Sequence, residues 1–103
     1  MMLDELMNIS PRFQSNLIGF QILISLFKNE FPWLFDSGLD LVRVLKSNNP
    51  ERDKYDSIKA YLELVEFSFQ HPMMREMYMN DKEIYMLGKD LPHIMERMLR
   101  QYT

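Results

Sequence analysis

The chain has no cysteine and only three glycines among its 103 residues. Without cysteine it cannot form a disulfide, a thiolate metal site or a cysteine nucleophile. Three scattered glycines cannot build the glycine-rich loop that holds phosphate groups in nucleotide-binding proteins. These absences exclude disulfide-stabilised folds, zinc sites based on cysteine and the familiar phosphate-binding loops.

Long apolar runs and a strong net charge are also lacking. The longest stretch without a charged residue, 13–27, contains polar side chains and is shorter than the roughly 20 apolar residues that cross a bilayer. Residues 1–5 carry no basic side chain of the kind that begins a signal peptide. The net charge of −3 does not favour general binding to a phosphate backbone. We therefore expect a cytoplasmic protein that does not enter a membrane.

Apolar residues recur at steps of three and four, which is typical of helices. Residues 11–29 are predicted as one long helix with two apolar stripes, one of which runs through Phe20 and Ile24. The other is formed by Ile18, Ile22, Leu23 and Leu26. A helix that is apolar over so much of its circumference is usually covered on more than one side. We expect this helix to lie at the centre of the fold.

The remaining boundaries follow from prolines, glycine and polar clusters. Pro32 predicts the end of the first helix in a bulky apolar turn, 31–35. Asn80, followed three residues later by Glu83, has the character of a capping box, and Gly88 with Pro92 indicates a break between two helices. The later helices are predicted at residues 39–46, 50–70, 72–79, 81–87 and 91–102.

No segment alternates apolar and polar residues over the length of a strand, and no hairpin turn signal is present. The sequence therefore predicts an all-α fold, a small irregular helical bundle of about five to six helices, three of them long. At this length it should form a single α-helical domain over residues 1–103.

The histidines are the first candidates for chemistry. His93 and Glu96 lie three apart in the last helix, as do Glu63 and Glu66 in the second long helix. Di-iron bundles use paired Glu-x-x-His motifs, but the order here is reversed and only one histidine takes part. We interpret these residues as a solvated surface, and His71 as a junction residue that makes a local hydrogen bond. No catalytic, cofactor-binding or metal-binding residue is predicted, and we expect a protein that is not an enzyme.

Methionine is the unusual residue, with ten in the chain. Flexible thioethers fill gaps in cores, and they also form adaptable binding surfaces. A short helix at 72–79 would direct its methionines to more faces than one core can cover, unless the next helix folds back over them. The residues predicted to bind protein are Met73, Met74, Met77, Tyr78 and Met79.

The sequence thus predicts a non-enzymatic protein–protein interaction module without a cofactor. It would act as an adaptor or self-association domain, in a larger prokaryotic or viral system, and its partner would be another protein or a second copy. The alternative is a small helical DNA-binding regulator of the transcription type, although basic residues occur as pairs such as Arg97 with Arg100 and never as a stripe. A metal-dependent helical-bundle enzyme ranks third.

Overall fold

The computed structural model describes residues 11–102, which are almost entirely helical and contain no β-strand. Within this range no helix is both long and apolar enough to cross a membrane. The elements in chain order are α1 Pro11–Ile24, a 3₁₀ turn Ser25–Phe27, α2 Pro32–Lys46, α3 Glu51–Phe69, α4 Pro72–Asn80 and α5 Lys82–Arg100. The predicted all-α bundle of about five to six helices is confirmed.

The first and last helices lie side by side and antiparallel. The rings of Phe13 and Tyr102 meet edge to face, with their centroids 5.6 Å apart. Further along the pair, a Cβ placed at Gly19 would lie 3.2 Å from Cδ1 of Ile94. The beginning of α1 and the end of α5 therefore meet at one end of the bundle.

Helices α2 and α3 form a second pair, and Tyr61 of α3 connects them to α1. The Tyr61 hydroxyl donates a hydrogen bond of 2.7 Å to the backbone carbonyl oxygen of Leu34 in α2. Its ring packs edge to face against Phe20 of α1, with 5.6 Å between the centroids. One side chain thus holds three helices in register.

The buried apolar side chains of all five helices form one hydrophobic cluster. Phe20 and Ile24 are fully buried in it, which confirms their predicted position in the core. The second stripe is divided, because Leu23 and Leu26 are partly buried against the core, whereas Ile18 is 59% exposed and Ile22 is 63% exposed. Among the described elements, α2, α5 and the 3₁₀ turn pack against α1, as does Tyr61 of α3. The expectation that α1 is covered on more than one side therefore holds, but the cover does not extend to Ile18 and Ile22.

Pro32 begins a helix instead of closing one. It occupies the first turn of α2, after Phe31 in a non-helical conformation with φ −133°. Proline is well tolerated there because the first turn leaves its N–H groups without helical partners. The predicted apolar turn at 31–35 is wrong, and α2 continues through Gly38 to Lys46 as a single helix of 15 residues.

The predicted break near Pro92 is absent, and α5 is one continuous helix of 19 residues with Pro92 inside it. The missing N–H of Pro92 leaves the carbonyl of Gly88 without its usual helical donor. Packing outweighs this cost, because one buried face continues past the proline from Leu87 to Leu91 and Met95. Local propensity was a poor guide at this position.

Asp81 separates α4 from α5 and caps the second of them. Its carboxylate accepts hydrogen bonds from the backbone N–H groups of Glu83 at 2.9 Å and Ile84 at 3.3 Å. Asn80, the cap predicted from the sequence, instead donates from its side-chain amide to the carbonyl oxygen of Glu76. The predicted cap is therefore wrong by one residue, and a single extended residue connects the two helices.

Candidate functional site

The five predicted protein-binding residues are all on α4, but they differ in their exposure. Met74 is buried in the core, and Met77 and Tyr78 are partly buried. Met73 is 52% exposed and Met79 is 78% exposed. The structure therefore leaves Met73, Met79 and part of Met77 and Tyr78 available for contact with another molecule, while Met74 serves the interior.

The start of α4 is fixed by a histidine. The Nδ1 atom of His71 accepts a hydrogen bond of 3.2 Å from the backbone N–H of Met73, and Pro72 follows in the first turn. His71 thus makes the local hydrogen bond predicted for it.

Helix α4 has only nine residues and packs against α3 and α5. Met74 faces these neighbours, and Met79, five residues later, lies about 140° further round the helix. The folding back of α5, the competing account of the methionine segment, does occur, since Ile84 and Leu87 are buried beside α4. That cover reaches Met74 but does not extend to Met73 or Met79.

A groove of about 520 Å³ runs between α4 and α5. We call it the α4 groove; the residues that line it are Phe69, Arg75, Tyr78, Met79 and Gly88. The aromatic rings of Phe69 and Tyr78 line it together with Gly88. Among the described residues of this lining, Arg75 is the one that carries a charge and none is a carboxylate.

The rings in the α4 groove belong to a longer series of aromatic contacts that passes through the protein. Successive ring centroids are 5.0 to 6.5 Å apart. The series is Trp33, Phe31, Phe27, Phe69, Tyr78 and Tyr85. Both terminal rings, Trp33 and Tyr85, are exposed, whereas Phe27 and Phe31 are buried. Two rings that line the groove, Phe69 and Tyr78, are thus connected by ring contacts to the buried core.

Two exposed residues of α5 are not among the five named above: Tyr85, which ends the segment 72–85 predicted to be part of a binding surface, and Met86, which lies beyond it. Both fall in the segment expected to cover the methionines, yet both remain exposed. The signal was present, because Ile84 and Leu87 lie three apart on the buried face and the two residues between them must point elsewhere. Tyr85 extends the apolar surface beside the groove, since its ring centroid lies 5.0 Å from that of Tyr78.

The histidine and glutamate residues considered above as metal ligands do not form a metal site in the described chain. His93 and Glu96 on α5, and Glu63 and Glu66 on α3, are all exposed. Nowhere in residues 11–102 do three or more potential ligands from histidine, aspartate and glutamate form a group that could hold an ion. Of the five residues predicted to bind protein, Tyr78 and Met79 line the α4 groove.

In comparisons with known proteins, no family model, curated protein or solved structure matches the chain.

Proposed function

We propose that this chain is a non-enzymatic protein–protein interaction module and that the α4 groove is its contact site. The observation that carries the proposal is the groove itself. Met79 lines it and stays 78% exposed, and the rings of Phe69 and Tyr78 line it as well. Methionine and aromatic residues are enriched where proteins bind each other, and an apolar concave site of this kind gains free energy when a side chain fills it.

The occupant we propose is a second copy of the chain. Phe67 on α3 is 73% exposed, so the protein displays an aromatic side chain that its own core does not use. Glu63 and Glu66 lie beside Phe67 on the same helix and are exposed. Arg75 in the groove is complementary to them in charge, which orients a docking partner more than it adds affinity. Insertion of Phe67 from one copy into the α4 groove of another would bury the exposed ring and bring the glutamates close to Arg75.

The test is the concentration dependence of molar mass, measured by light scattering or sedimentation equilibrium. We expect the wild-type protein to associate, and both Phe67→Glu and Met79→Glu to weaken association at least about tenfold, because a buried unpaired carboxylate costs several kcal/mol. Ile22→Glu is the matched control, since Ile22 is equally apolar and 63% exposed on the outer side of α1. It should associate as the wild type does.

A mixing experiment identifies the two halves of the contact. An equimolar mixture of the Phe67→Glu and Met79→Glu chains should recover part of the association, because one variant keeps the groove and the other keeps the ring. A wild-type protein that stays monomeric at all concentrations would rule out the second copy. Equal loss in the Ile22→Glu control would rule out the α4 groove as the contact site.

A further inference from the structure

A second groove, of about 450 Å³, lies at the end of the bundle where α1 begins and α5 ends. We call it the arginine groove. The residues that line it are Arg12, Asn16, Arg97, Arg100 and Gln101. It shares no residue with the α4 groove, and nothing in the proposed self-association uses it.

The composition of this lining is unusual, because each of its described side chains carries N–H donors and none of them is a carboxylate. Three are guanidinium groups and two are amides. In the part of the chain that the structure describes, no carboxylate pairs with Arg12 or Arg97. Arg43 shows the contrasting arrangement, with its guanidinium 2.7 Å from the carboxylate of Asp40.

The fold creates this site from two distant segments. Arg12 and Asn16 are four residues apart on α1, and Arg97 and Arg100 are three apart on α5, so each pair shares a side of its helix. The antiparallel packing of α1 and α5 then brings the two pairs to one groove. The sequence alone shows Arg97 and Arg100 as an isolated pair and gives no sign that Arg12 joins them.

We propose that the arginine groove binds a phosphomonoester group. A guanidinium donates two parallel hydrogen bonds to a phosphate, and such charge-assisted bonds are about twice as strong as neutral ones. The side-chain amides of Asn16 and Gln101 add neutral donors. A dianion would also offset the positive charge of Arg12 and Arg97, with which no carboxylate of the described residues pairs. Arg12 and Arg97 carry the charge on which the proposal depends.

The first experiment titrates ¹⁵N-labelled protein with inorganic phosphate at about pH 7.5, where phosphate monoesters are mostly dianions. Sodium chloride at equal ionic strength is the parallel titration. We expect saturable shifts of the side-chain amide signals of Asn16 and Gln101 with phosphate and none with chloride. O-phosphoserine and adenosine monophosphate, titrated in the same way, distinguish a phosphorylated side chain from a nucleotide as the source of the group, and tighter binding of either supports the proposal.

The second experiment repeats the phosphate titration on Arg12→Gln and Arg97→Gln. Both residues are exposed, so the fold should persist, which circular dichroism verifies. Each change should weaken phosphate binding about tenfold, the equivalent of one lost charge-assisted hydrogen bond. Arg43→Gln is the matched control and should bind as the wild type does.

Three results would overturn the proposal: phosphate shifts that do not saturate, shifts that chloride reproduces, or Arg12 and Arg97 variants that bind like the wild type. The last measurement is the binding of a duplex oligonucleotide to the same variants. If it binds more tightly than phosphate, and if Arg43→Gln and Arg52→Gln weaken it as much as Arg12→Gln, the protein has an extended nucleic-acid surface and no phosphomonoester site.

Discussion

Gly88 of α5 lies against the ring of Tyr78 in α4, so closely that a Cβ at position 88 would be 2.9 Å from Cε2 of that ring. Cε1 of Phe69 would be equally near the added atom. Two helices and the end of a third therefore meet at a position that has room only for hydrogen.

Gly88→Ala should destabilise the protein, although alanine is the better helix former. Alanine gains roughly 1 kcal/mol of helix propensity over glycine, but overpacking against two rigid rings costs typically 1–3 kcal/mol. We expect a net loss of about 1 kcal/mol in the free energy of unfolding, measured in urea. Gly19→Ala is the control, because its Cβ would meet only the flexible end of Ile94 at 3.2 Å. A gain in stability for both variants would show that α4 can move away from α5.

The two apolar stripes of α1 provide a second prediction. Phe20→Ala removes a fully buried ring and should cost about 3–5 kcal/mol, and Ile24→Ala about 2–5 kcal/mol. Ile22→Ala removes an exposed side chain and should change stability by less than about 0.5 kcal/mol. Thermal and urea unfolding of the three variants measure the difference directly. A large loss at Ile22 would mean that another element covers the outer side of α1.

Tyr61 provides a third prediction, on hydrogen bonding and pH. Burial raises the pKa of Tyr61 well above its ordinary value of about 10. The folded state therefore favours the neutral phenol, and this stabilisation is fully present below about pH 10. It is lost as the pH rises further, because the unfolded chain releases the proton while the folded chain retains it.

Tyr61→Phe should cost about 1 kcal/mol at neutral pH, since the hydrogen bond to the Leu34 carbonyl oxygen is removed. It should also make the decline of stability above about pH 10 shallower than in the wild type. Burial and the nearby charge of Glu51 also raise the pKa of Tyr102, so Tyr102→Phe serves as the comparison for the alkaline region. Identical alkaline profiles for Tyr61→Phe and the wild type would contradict the assignment.

The cap of α5 provides a fourth prediction. Asp81→Ala removes the acceptor for two backbone N–H groups and should cost about 0.5–2 kcal/mol. Asn80→Ala, one residue earlier, loses only an exposed bond to the Glu76 carbonyl oxygen and should cost less. Urea unfolding of both variants separates the two. If Asn80→Ala is the more harmful change, the cap lies where the capping-box pattern places it.

The helices themselves could be predicted from the sequence because their apolar spacing is regular, and α3 and α4 begin and end close to the expected residues. Proline was the source of error. The sequence analysis treats both Pro32 and Pro92 as signs of a helix boundary, yet the first begins a helix and the second lies inside one. The difference depends on the buried face that continues past Pro92, and only tertiary packing reveals whether such a face is covered.

The candidate sites, too, could be predicted only in part from the sequence. The excess of methionine predicted that some side chains of α4 stay exposed, and Met73 and Met79 do. Which methionine turns inward depends on how α5 approaches, so Met74 could not be assigned to the core in advance. The arginine groove was beyond the reach of the sequence, since it needs Arg12 from α1 beside Arg97 from α5.

Pro92 should also make the two halves of α5 open independently of each other. The carbonyl of Gly88 lacks its helical donor, and the two halves of the helix depend on different neighbours: Gly88 packs against Phe69 and Tyr78, whereas Ile94 packs against α1. Amide hydrogen exchange should therefore report two separate opening events along one helix. Amides before Pro92 should share their protection with α4, and those after it should share theirs with α1. One continuous helix would then behave, in its fluctuations, as two cooperative units joined at a proline.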